Sequence, residues 1–178
     1  MLCAALALLS YGIHAQDAWP SKPIGLVIPF AAGSGTDAVG RVIAQKLSER
    51  LKQRGVVENK AGASAQIGAK FVAKAKPDGY TLLMSTNTSH SANPSLFKIL
   101  RYDPIKDFTP IVRTGDLPFA LVVSAASPVK SVKDLIDYAR ASPGKVSYAT
   151  PNSTSLVSSE TIRVMARIDI LGVPYTTI

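Results

Sequence analysis

The chain has 178 residues, 47% of them apolar and 18% charged, enough to bury a core and too apolar for a disordered tail. Gly 12 and Pro 12 exclude a collagen-like or low-complexity chain, and Cys 1 excludes a disulfide-stapled miniprotein and cysteine-built zinc sites. A net charge of +8 raises nucleic acid as a partner. Yet Arg41, Lys46, Arg50, Lys52 and Arg54 alternate with Val42, Ile43, Leu47 and Leu51 along one amphipathic stretch, the pattern of a solvated helix face. No aromatic-rich strand accompanies them, so nucleic-acid binding is not expected, whereas a positive field favours anionic small molecules.

Met1–Ser10 is uncharged and apolar, and Tyr11-Gly12-Ile13-His14-Ala15 follows. Residues 1–15 read as the remnant of a secretory signal cleaved after Ala15, although its basic leading region is missing and the first cation is Lys22. The run is shorter than the ~20 residues a span requires, so stable membrane insertion is not expected and export is. Removal of this segment leaves no cysteine and one histidine, His90.

Ile24–Phe30 is a continuous apolar strand of the kind buried on both faces. Ala31–Thr36 is a small-residue loop, and Asp37 opens a helix ending at Gly55. A short strand over Val56–Asn59, a small-residue loop at Ala61–Ser64 and a helix over Ala65–Ala75 come next. The Pro77-Asp78-Gly79 turn leads into the strand Tyr80–Ser85. Strand–helix alternation of this kind implies parallel pairing and a three-layer α/β domain. Thr86–Ser91 is a polar loop, Asn93–Leu100 a helix, and Tyr102–Pro110 a domain edge. Beyond it the pattern predicts strands at Ile111–Thr114 and Phe119–Ser124, then a helix beginning at Ser131 with Asp134 placed for a capping box. A strand at Val146–Ala149, a polar loop at Thr150–Ser155, a helix over Leu156–Ala166 and a strand at Ile170–Tyr175 complete the series.

Parallel α/β sheets bind ligands outside the carboxyl ends of their strands. Three loops occupy that position: Ala31–Thr36, Thr86–Ser91 and Thr150–Ser155. Their small and hydroxylic residues, beside helix N-termini with unpaired N–H groups, suit a carboxylate or phosphate. The plainer reading is that they are ordinary helix caps. A rival reading takes Gly33-Ser34-Gly35-Thr36-Asp37-Ala38 as G-x-G-x-x-A with Glu58 as the ribose acid, making an NAD(P)-binding Rossmann-like oxidoreductase domain. Against it, four residues, Pro29 to Ala32, separate the strand core from the first glycine, and Asp37 sits where a pyrophosphate would. Catalytic motifs are weaker: Gly62-Ala63-Ser64-Ala65-Gln66 misses a nucleophile elbow, and no motif aligns His90 with a nucleophile. Asp103, Asp107 and Asp116 read as turn residues, and no metal-ligand cluster is apparent.

The chain resembles the Bug family, the periplasmic substrate-binding proteins of tripartite tricarboxylate transporters. The resemblance rests on Trp19-Pro20-x-Lys22-Pro23-Ile24, Pro29-Phe30-x-x-Gly33 with Thr36-Asp37, Val57-Glu58-Asn59-x-x-Gly62-Ala63, and Ile67-Gly68-Ala69. It continues through Pro77-Asp78-Gly79-Tyr80-Thr81-Leu82, Asn93-Pro94-x-Leu96, Tyr102-Asp103-Pro104, Asp107-Phe108 and Val173-Pro174-Tyr175. It implies an α/β, type II periplasmic-binding-protein-like fold of two three-layer lobes, the first over 16–104 and the second, incomplete, over 105–178. It implies a non-enzymatic protein without cofactor, monomeric at full length, that captures a di- or tricarboxylate, an acidic amino acid or an aromatic acid for membrane transporter subunits. In such a protein backbone amides, hydroxyls and water hold the ligand. Carried onto this chain, the ligand set is Ala31, Ala32, Gly33, Ser34, Gly35, Thr36 and Asp37 in the first loop, Thr86 and Asn87 in the third-strand loop, and Thr150, Asn152, Ser153, Thr154 and Ser155 in the second lobe. Two departures stand out. Ala31-Ala32-Gly33-Ser34-Gly35 replaces a more glycine-rich loop, and Thr176-Thr177-Ile178 stands where the family continues with Lys-Gly, so the resemblance implies a C-terminal truncation and a poorly stable chain.

Overall fold

A computed structural model describes residues 18–175, so the expectations for residues 1–15 and 176–178 lie outside the described residues. β1 (Ile24–Ile28) lies at the centre of a parallel sheet, flanked by β2 (Gly55–Asn59) and β3 (Thr81–Leu83) in the order β2-β1-β3. Its register pairs Ile24 with Gly55 and Gly25 with Thr81. A central strand is covered on both faces, which explains why this segment reads as an unbroken apolar run. Leu26 and Ile28 pack with Ala44, Val39 and Ile43 of α1 (Gly35–Leu51) and with Met84. The opposite face is covered by α2 (Gln66–Ala73), where Gly68 is required: a Cβ there would come within 2.7 Å of the Pro29 side chain. The first lobe therefore has the three layers expected.

The polar run after β3 folds differently from the loop expected. Thr88–Ala92 is a π-helical turn continuing into the one-turn helix α3 (Asn93–Leu96). Thr88, Ser89 and Asn93 are buried there, so hydroxyl and amide groups occupy interior positions and must find partners inside the protein.

The second lobe contains α4 (Val132–Ala141), β4 (Val146–Thr150), α5 (Ser153–Ala166) and β5 (Ile170–Pro174), with β4 and β5 paired in parallel. Ile136 and Ala139 of α4 and Ile162 and Ala166 of α5 join Val146, Tyr148 and Ile170 in one cluster. The alternate positions Ser147, Ala149 and Leu171 are exposed, so among the described residues this sheet is covered on one face.

The strands expected at Ile111–Thr114 and Phe119–Ser124 do not form. Residues 109–124 carry no regular structure and are exposed, Val122 at 80%. A strand needs a neighbour to pair its N–H and C=O groups, and no described strand lies beside this segment. The Tyr102–Pro110 segment that precedes it is a chain of turns, its start fixed by Asp103 and Asp107 accepting backbone N–H bonds.

Candidate functional site at the strand carboxyl ends

The first loop is organised by Asp37. Its carboxylate accepts the Gly33 N–H at 2.8 Å and the Arg41 Nε at 2.9 Å through Oδ2, and the Asn59 amide at 2.8 Å through Oδ1. Asn59 also donates to the Phe30 carbonyl, tying the end of β2 to the end of β1. Gly33 sits at φ 86°, a left-handed conformation open to glycine without penalty. Ser34 is the N-cap of α1, its hydroxyl accepting the Asp37 N–H at 3.2 Å. Arg41, with the Gly33 and Asn59 donors, holds the Asp37 carboxyl at about 2, well below the carboxylate range. Asp37 is thus a buried, ionised, fully partnered group that shapes the loop. Gly35 and Thr36 follow the cap, and N–H groups at that point of a helix have no intrahelical acceptor. Thr36 and Ser34 are buried, whereas Ala32, Gly33 and Gly35 are exposed, leaving backbone on the open side.

The third-strand loop and the second-lobe loop touch. The Asn87 amide donates to Thr154 Oγ1 at 2.9 Å, and that hydroxyl lies 3.1 Å from the Asn87 Oδ1 as a donor. Thr86 Oγ1 accepts the Thr88 N–H, closing the turn. Behind it Ser85, Ser89 and His90 share hydrogen bonds: Ser85 Oγ lies 2.8 Å and Ser89 Oγ 3.0 Å from His90 Nδ1. Phe108 packs edge-on against the imidazole, ring centres 4.7 Å apart, and burial pushes its pKa down. This small cluster braces the loop.

On the second lobe the helix starts earlier than expected. Asn152 is the N-cap of α5, accepting the Ser155 N–H at 3.0 Å, while Ser155 Oγ accepts the Asn152 N–H in a reciprocal capping box. Ser153, Thr154 and Ser155 therefore form the first helical turn. Thr150 donates through Oγ1 to the Val173 carbonyl and staples β4 to β5. Ser153 is buried and donates to Asn93 Oδ1 across the lobes at 3.3 Å.

Some groups in this arrangement lie outside the ligand set expected from the sequence. Asn59 and Arg41 fix Asp37, and Asn93 and Tyr102 lie under the third-strand loop. The small-residue loop after β2, Ala61–Ser64, is outside the ligand set expected from the sequence, yet it ends on the same side as the others. Gly62, Ala63, Ser64 and Ala65 all have positive φ (120°, 47°, 52° and 67°). For the three residues with side chains this conformation is strained by about 1–3 kcal/mol each and persists only where its surroundings hold it. Its Ala-Gly-Ala-Ser composition was the available signal. A cavity of about 430 Å³ lies elsewhere, lined by Leu96 and by Leu156, Val157, Glu160, Thr161, Val164 and Met165 of α5, none of them in the nominated set.

The dinucleotide alternative fails on the first loop. The Gly33 N–H that would face a pyrophosphate is donated to a carboxylate, and Glu58 is paired with Lys60 at 2.6 Å.

Two α/β lobes of parallel strands whose carboxyl-end loops meet have the type II periplasmic-binding-protein-like fold of the solved periplasmic proteins they match. The tripartite tricarboxylate transporter family receptor model matches residues 39–177, and the chain belongs to that family. A protein from the tcbD–tcbE intergenic region of Pseudomonas sp. strain P51 is 38% identical over 175 residues, 96% of this chain and 52% of the relative. A Rhodopseudomonas palustris structure solved with adipate is 39% identical with a TM-score of 0.85, covering 89% of this chain and 54% of that one. MatC of the same organism, with bound malate, is 32% identical with a TM-score of 0.82, over 89% and 54%. The chain spans about half the length of the relatives it matches.

Proposed function

We propose that this chain serves in a periplasmic solute-binding protein that captures a small carboxylate and presents it to the membrane subunits of a tripartite tricarboxylate-type transporter. The observation that carries the reading is the meeting of the Asn87 and Thr154 loops from the two lobes, at the carboxyl end of the same sheet whose central strand leads into an α1 N-terminus with exposed backbone. A carboxylate needs N–H and O–H donors and no buried counter-charge of its own, and these loops supply that kind of group. Asp37 orders the loop without facing the ligand, since a ligand carboxylate beside a bare one would be repelled. The ligand set carries over as nominated except for Asp37, whose oxygens are taken by Gly33, Arg41 and Asn59, with lobes at 16–104 and 105–178 and with export to the periplasm. The chain acts by binding and not by catalysis. Related structures holding adipate and malate support a dicarboxylate as the first candidate.

The test is a thermal-shift and calorimetric screen of the chain by itself and of the chain extended by the C-terminal half of the adipate-binding relative. Adipate, malate, citrate, glutamate, benzoate and NAD are the probes. Stabilisation of the extended chain by at least one carboxylate, with NAD silent, is expected. Stabilisation by NAD alone would overturn the reading.

A further inference from the structure

We infer that Asn93 is the positioning residue that clamps the strained β2 loop and the N-terminus of α5 onto the third-strand loop, so that loops of both lobes keep one spacing. Asn93 is fully buried and uses its amide in three directions. Its Nδ2 donates to the Ser64 carbonyl at 2.8 Å and lies 3.3 Å from the Tyr102 hydroxyl, and its Oδ1 accepts the Ser153 hydroxyl at 3.3 Å. The Tyr102 hydroxyl in turn donates to the Ser89 carbonyl at 2.6 Å. One planar amide therefore joins Gly62–Ala65, the π-helical turn and the first turn of α5.

Two independent features give the junction weight. The left-handed run Ala63-Ser64-Ala65 needs an external hold, and the Asn93 amide bonds the carbonyl at its centre. Ser153, the second-lobe end of the junction, is buried, so its hydroxyl has no water to fall back on. The chemistry selects an amide. A carboxylate at this position would turn an acceptor toward the Ser64 carbonyl, and an aliphatic side chain would leave Ser64 C=O and Ser153 Oγ unpaired. The neighbouring Asn87–Thr154 pair is exposed and free to exchange with solvent or solute, whereas the Asn93 junction is closed to both.

That this spacing matters for carboxylate binding rests on the function proposed above; the clamp itself does not. Amide hydrogen exchange on the full chain tests it without ligand. In Asn93→Asp at neutral pH, peptides covering 60–68, 86–92 and 150–157 should exchange about tenfold faster while β1 keeps its protection. After correction for intrinsic rates, acidification should restore part of that protection, because a protonated Asp regains one donor. Ser153→Ala should loosen 150–157 and leave 60–68 protected, and this variant decides the matter if Asn93→Asp does not fold. Exchange that rises only at 86–96, or rises equally in β1, would overturn the clamp, as would an unaffected 150–157 in Ser153→Ala. Adipate titration of the extended chain is the separate arm. Wild type that ignores adipate sinks the functional reading, whereas a binding wild type with an equally tight Asn93→Asp variant limits the clamp to structure and overturns its positioning role.

Discussion

Asp37 shows how much one side chain settles at this site. Its carboxylate spends both oxygens on Gly33, Arg41 and Asn59, so the charge is locked into the loop. A pKa held at about 2, against 3.8 for an unperturbed group, means the unfolded chain takes up a proton at higher pH than the folded one. The associated stability is therefore complete above the ordinary carboxylate range and is lost as pH falls toward about 2. Its size is about 2 kcal/mol. Asp37→Asn should be less stable than the parent by about that amount at neutral pH, with the gap closing below about pH 4, as read from urea denaturation at several pH values. A gap that stays constant into acid would assign the effect to packing. His90 follows the same sign: burial disfavours its charged form, so the stability linked to it is present above its ordinary range and declines as pH falls through that range.

Elements are where local signals and tertiary context part. The caps were legible: Ser131 accepts the Asp134 N–H as its spacing from Asp134 implied, and Ser34 caps α1 at the nominated loop. The sequence pattern places Asn152 in a loop, whereas in the structure its Asn-x-x-Ser spacing is a capping box that starts α5 three residues earlier than expected. Asn152→Ala should cost about 0.5–2 kcal/mol while leaving the far-UV helical signal nearly unchanged, measured by chemical denaturation and circular dichroism. Loss of most of the helical signal would mean the cap nucleates the lobe. The run at Thr88–Ala92 reads as loop because its residues are polar, but inside the protein the Thr88 N–H donates to Thr86 Oγ1, the Ser89 hydroxyl bonds Ser85 and His90, and a π-helical turn forms. The strands expected at 111–114 and 119–124 have the right composition and no neighbour, and composition alone does not make a strand.

At the scale of the molecule, the two lobes differ in completeness. The first has a central strand covered on both faces and a continuous core around Leu26 and Ile28. Among the described residues the second leaves one face of a two-stranded sheet open, and the apolar residues Ile111, Val112, Phe119 and Val122, ahead of α4, stand in solvent. Backbone that is exposed and unpaired is cut first by proteases. Brief trypsin digestion should therefore cleave at Arg113 before any site in α1, with early fragments of the first lobe recovered by mass spectrometry. Early cleavage at Arg41, Lys46 or Arg50 with Arg113 intact would contradict the assignment of stability to the first lobe. The exposed apolar surface also carries an aggregation risk, seen as a broad melt and higher-order species at raised concentration.

By itself the sequence determined the parallel α/β class, the order of the strands and helices that form, the family, and the loops that end the strands. Those features are local: apolar runs, helix periods, capping residues and short motifs survive without knowledge of what lies across the fold. Only the tertiary structure decided that Asp37 faces Arg41 and Asn59, that the β2 loop is strained, that Asn93 joins three loops, and that residues 109–124 stay unpaired. Each depends on groups distant in sequence, Ser64 and Asn93 by 29 residues and Asn93 and Ser153 by 60. The free energy of a buried hydrogen bond or an edge strand is set by the partner it meets, and no local pattern names that partner.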